Sequence, residues 1–131
     1  MKYKFNWSAV SGGAPYITVS SIALSFNSVS IEKLGNPKQV LVGFDDEHYV
    51  IGVKAFDGES EYKPYNFAGK TKDGWIRIGC RDFIKRLESL TGLSFSPAKR
   101  YVADFDIEER ILYVEVKVTE DDSNRDGMDT I

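Results

Sequence analysis

The chain has 131 residues, the ordinary size of one domain and too few for two independently stable ones. Its 17 Lys and Arg against 20 Asp and Glu leave a net charge of −3, which opposes wholesale binding to nucleic acid or an anionic membrane, since both demand positive charge to displace counterions. The single cysteine, Cys80, excludes an internal disulfide, and no apolar run approaches the ~20 residues that cross a bilayer. A reducing compartment suits such a chain. Residues 1–7 alternate instead of forming a signal-peptide block, so a cytoplasmic protein is expected.

Tyr3, Phe5 and Trp7 alternate with polar residues, the period of a half-buried strand. Residues 11–15 (SGGAP) form a turn or loop, because glycine frees the backbone and proline fixes it. A strand is predicted over 16–21, continued after a bend by 22–26. Asn27 or Ser25 caps a short helix over 28–34, and Gly35-Asn36-Pro37 ends it, with glycine in the left-handed position. Residues 38–44 and 49–56 alternate on either side of the acidic turn Asp45-Asp46-Glu47-His48, hence a hairpin.

Residues 57–74 (DGESEYKPYNFAGKTKDG) link the two halves. A loop of this length is functional or disordered, and Tyr62, Tyr65 and Phe67 argue for an ordered surface loop with an edge strand near 63–67. Residues 75–78 read as a strand. Phe83, Ile84, Leu87 and Leu90 place one apolar face on a helix over 82–90, with Phe83 and Leu87 in the core and Thr91-Gly92 as its stop. A second hairpin follows over 99–106 and 110–118, and 119–131 (TEDDSNRDGMDTI) is predicted to be a disordered acidic tail.

The two hairpins align at one constant offset: Val40, Val42, Phe44, Asp45, Val50 and Val53 fall on Tyr101, Ala103, Phe105, Asp106, Ile111 and Val114. The predicted fold is α+β, with similar strand-helix-hairpin units at 16–56 and 75–118 packed into one small, mostly antiparallel domain over 1–118. Duplication explains the likeness; two unrelated helix-hairpin units would also produce it.

The stretch ALSFNSVSIEKLGNPKQVLVGFDDEHYVIGVKAF resembles a group of small uncharacterised proteins of bacteriophages and other mobile elements of Gram-positive bacteria. It is also similar to the AbrB/SpoVT swapped-hairpin proteins, with Leu24, Phe26, Leu34, Gly35, Val40, Val42 and Val50 in comparable places. That second resemblance implies a DNA-binding dimer whose hairpins present arginines. Here the corresponding stretch offers Lys33 and Lys38 against Glu32, and its tip is Asp45-Asp46-Glu47, which would repel phosphates.

Arg77, Arg81 and Lys85, with Arg86, are the strongest local basic feature; they form either a solvated face or a partner surface that Lys99-Arg100 could extend. The acidic turn at Asp45 contains metal-binding residue types, but adjacent side chains diverge there and the oxygen-rich spacing of a calcium loop is missing. His48 has no nucleophile or orienting acid in a readable motif. Cys80 begins a helix beside Arg81, which favours a reactive thiol, while a free cysteine commonly serves as packing. No cofactor, metal or catalytic set is expected. The reading is a non-enzymatic binding protein with a protein partner contacted by Arg77, Arg81, Lys85, Tyr62, Tyr65 and Phe67. A DNA-binding regulator is the alternative, and homo-oligomerisation stays open.

Overall fold

The computed structural model describes residues 2, 13–58, 60–71 and 73–116. The strand expected at Tyr3–Trp7 and the acidic tail lie outside them. The described chain builds two antiparallel sheets and two helices. Sheet 1 contains β1 (Tyr16–Val19), β2 (Ala23–Phe26), β6 (Ile76–Gly79) and β7 (Lys99–Val102), in the order β6-β2-β1-β7. Sheet 2 contains β3 (Gln39–Asp45), β4 (Val50–Ala55), β5 (Tyr65–Asn66), β8 (Asp104–Asp106) and β9 (Ile111–Glu115), in the order β5-β3-β4-β9-β8. Helix α1 (Ser28–Lys33) follows β2, and α2 (Arg81–Thr91) follows β6.

Residues 22–26 do not continue the first strand; they reverse it. The Ser20 hydroxyl accepts from the Ile22 and Ala23 amides at 3.3 and 3.0 Å, closing a tight turn that pairs β1 with β2. Asn27 then caps α1 by accepting from the Ser30 amide at 3.0 Å. The helix ends as its glycine requires: Gly35 adopts φ 84°, its amide donates to the Glu32 carbonyl, and the Asn36 amide donates to that of Ile31. Gly92 ends α2 at φ 75° with its amide on the Glu88 carbonyl.

The strand predicted over 99–106 divides at Ala103. Its first part pairs with β1 in sheet 1 and its second with β9 in sheet 2. Buried Ala103, whose amide donates to the Pro15 carbonyl at 2.9 Å, sits at the crossing. Alternation persists across such a bend, so the sequence reads as one strand.

Both sheets turn their apolar sides to one core. Ile17, Val19, Leu24, Phe26, Ile76 and Ile78 come from sheet 1, and Val40, Ile51, Val53, Leu112 and Val114 from sheet 2; Ile31, Ile84, Leu87 and Phe95 fill between. The repeat is roughly preserved in the pairings. Units β2-α1-β3-β4 and β6-α2-β8-β9 meet where β2 pairs with β6 and β4 with β9. Tyr49 and Arg110, equivalent residues of the two hairpin turns, share φ 58°. Asp45 and Asp106 accept from the equivalent amides of His48 and Glu109 at 3.2 and 3.0 Å. Among the described residues, no helix is long and apolar enough to cross a membrane.

Candidate functional site

The side of sheet 1 turned away from the core is set by register. Arg77 lies opposite Ser25, Ser25 opposite Thr18, and Thr18 opposite Arg100, so one row runs from arginine to arginine over two small hydroxyl residues. The Arg100 guanidinium lies 5.3 Å from the Tyr16 ring centroid and 5.4 Å from that of Trp75. Stacking against two rings holds the cation in place while leaving its N–H edges for a ligand oxygen. The backbone fixes both rings. Tyr16 donates its amide to Asn27 Oδ1 at 2.9 Å, and its carbonyl accepts from the buried Ser30 hydroxyl at 2.8 Å. Trp75 is held by Thr71, which donates its amide to the Trp75 carbonyl and accepts from the Trp75 amide at its hydroxyl. Exposed Val102 completes the surface, and none of these outward residues is acidic.

The basic residues singled out in the sequence occupy two elements. Arg77 belongs to this sheet face, whereas Arg81 and Lys85 are exposed on α2, opposite the buried Ile84 and Leu87. Among the described residues none of the three is held in an ion pair. Among the described residues Glu88 forms no ion pair with them; its carboxylate accepts from the Phe95 amide at 2.9 Å. Arg100, Tyr16 and Trp75 were not identifiable as site residues from the sequence. Their meeting depends on β1 pairing with β7, a contact between distant strands, and the basic dipeptide Lys99-Arg100 was the only signal.

The linking loop separates its aromatics. Tyr62 is exposed. Tyr65 is half-buried, and burial, followed by the nearby Cys80 and Asp82, raises its hydroxyl pKa above the ordinary value. Phe67 is a core residue, 2% exposed and edge-on to Phe26 with centroids 5.2 Å apart, so it offers no surface to a partner. The sequence could not separate them because all three lie in one linker without a regular apolar period.

The outward side of sheet 2 is different. Gly43 lies opposite Gly52, and Gly52 opposite Tyr113. The two glycines floor an open hollow of about 810 Å³ bordered by Leu41, Lys54, Ile111 and Tyr62. Neither glycine has a positive φ, and a Cβ on Gly43 would meet nothing within 4 Å. The outward strand residues of this sheet carry Asp45, Asp104, Asp106 and Glu115 against the cation Lys54. The lining of the hollow also includes Lys63 and Arg110 with Asp57 and Glu109, two charges of each sign beside Lys54.

The two residues with the readiest chemistry are occupied structurally. Burial pushes the Cys80 thiol up to about 11, far from a thiolate nucleophile. His48 Nδ1 lies 2.9 Å from Asp45 Oδ2 in an exposed turn, and this bond, with the His48 and Glu47 amides, holds the Asp45 carboxyl below its ordinary value. No group of three or more His, Cys, Asp or Glu poised to hold a metal occurs among the described residues. No family model, curated protein or solved structure matches the chain.

Proposed function

We propose that the chain is a non-enzymatic binding protein that engages a protein partner through the outward face of sheet 1. The observation that carries this reading is the Arg77–Ser25–Thr18–Arg100 row with Tyr16 and Trp75 packed on Arg100. Among the described residues it concentrates cations and aromatic rings, without a carboxylate, on a molecule of net charge −3. Arginine, tryptophan and tyrosine are the residue types that dominate protein-protein hot spots. A partner presenting carboxylates fits both the charge and the fork geometry of arginine. Arg81 and Lys85 on α2 carry further exposed positive charge outside that row.

The acidic outer face of sheet 2 and the acidic hairpin tip oppose duplex DNA, whose phosphates must be met by many cations.

The test uses the immobilised chain and its native host lysate. Wild type is expected to retain a partner at low salt and release it as salt rises, while folded Arg77→Glu/Arg100→Glu loses it. A partner retained equally by the variant would move the contact to Arg81/Lys85 or to Tyr62 and Tyr65, which Arg81→Glu/Lys85→Glu and Tyr62→Ala/Tyr65→Ala separate. Unrelated duplex DNA titrated at low salt is expected not to bind; an affinity falling steeply with salt would replace this reading with the DNA one.

A further inference from the structure

We propose that the partner of the cationic face is a second copy of this chain, which docks with the outward face of its sheet 2. The inference rests on reading sheet 1's outer face as a protein-binding surface. Its support is complementarity within one molecule. One outer face presents Arg77 and Arg100 with no carboxylate, and the other presents Asp104 and Asp106 on its edge strand with Asp45 beyond. Among the described residues these are the two outward sheet faces, and their charges are opposite.

The glycine pair supplies the second argument. Glycine inside a strand weakens it and commonly marks a place where another backbone or ligand approaches closely. The fold gives Gly43 no reason of its own: its φ is not positive and a side chain there would meet only open space. The hollow above it, about 810 Å³, is suited to receive a bulky group. Sheet 1 carries bulky groups in the Tyr16 and Trp75 rings, which stand beside the small Thr18 and Ser25; the hollow's own charged lining is Lys54, Lys63 and Arg110 with Asp57 and Glu109, so the arginines are left to meet Asp104 and Asp106 on the edge strand.

Because the two surfaces differ, the contact is head-to-tail. Each copy that docks leaves one face of each sign free, so the assembly closes into a ring or grows as a filament; it does not stop at a two-fold dimer.

Sedimentation of the full chain over a concentration series tests this. Wild type is expected to gain mass with concentration in about 50 mM salt and to lose it in about 500 mM, where screening shortens to a few ångströms. Arg77→Glu/Arg100→Glu, and separately Asp104→Lys/Asp106→Lys, should each weaken association about tenfold or more, since each makes both faces alike in sign. Mixing the two variants rebuilds opposite pairs at every contact and should restore the large species. Gly43→Val should melt no lower than wild type yet associate more weakly. Recovery in the mixture cannot come from misfolded chains, which keeps the test valid if one variant is less stable.

A wild type that stays monomeric at every concentration overturns the proposal, as does a mixture that fails to recover. If the monomer nonetheless captures a foreign protein through Arg77 and Arg100, the binding-face reading stands and only the second copy is lost. If self-association survives reversal of the arginines, the cationic-face reading falls as well.

Discussion

Cys80 shows how position decides chemistry. It stands at the start of α2 beside Arg81, where a helix terminus favours a thiolate, yet it is buried and its pKa rises from the ordinary 9.0 to about 11. Desolvation outweighs the nearby positive charge of Arg77. The native thiol should react with an aromatic disulfide reagent at pH 8 at least about tenfold slower than the unfolded chain; equal rates would place it at the surface. Since the folded pKa is raised, the contribution to stability is complete below pH 9 and is lost as pH climbs from 9 to 11. Urea midpoints measured across that window should therefore fall. Gly35 makes a second demand of a single residue. Its φ of 84° is left-handed and open space surrounds it, so Gly35→Val should cost about 1 kcal/mol or more through the backbone alone. Gly35→Asn, which tolerates that region, should cost less. Chemical denaturation separates the two. The glycine was legible in the sequence; the left-handed Tyr49 and Arg110 were not, because neither residue type advertises that conformation.

At the level of elements, local period was readable and partnership was not. The α2 stripe identified Leu87 as core, where it is fully buried, while Phe83 is only half-buried at its edge. Leu87→Ala should consequently cost about 2–5 kcal/mol by lost burial and a cavity. Phe83→Ala should cost less, and a reversed order in thermal or urea unfolding would mean α2 is rotated. The two hairpins were visible because alternation brackets an acidic turn twice. The β1–β2 reversal was hidden: Ser20-Ser21-Ile22 lacks the glycine or proline that normally marks so tight a turn, and the Ser20 hydroxyl does the work instead. The arginine row was hidden more deeply. It requires four strands from three distant parts of the chain, and each residue in it looks like an ordinary solvent-facing position on its own strand.

Across the whole molecule, every sheet joins the two halves. β1 takes β7, β2 takes β6, and β4 takes β9. A fragment of residues 1–60 would expose the apolar sides of β2 and β4 with their partners missing, so it should be unfolded or aggregated by circular dichroism and light scattering. A sharply melting monomeric fragment would show that one half-core suffices. The same argument predicts one unfolding transition for the intact chain, with backbone and tryptophan signals superimposed. The pairings between the halves thus make the repeat a joint structure and not two beads on a string.

Those crossings also set an order in time. A chain is made from its first residue onward, but β1 must await β7, and β4 must await β9, which ends at Glu115. Most of the protein therefore leaves the ribosome before the pairings that join its two halves exist. Synthesis passes through a long interval in which Leu24, Phe26, Val40 and Ile51 have no finished core to enter, and unpaired strand edges at that stage invite chaperones or aggregation. Slowed translation early in the message should do little for the yield of this fold, whereas any loss of the last strand should strand the entire chain.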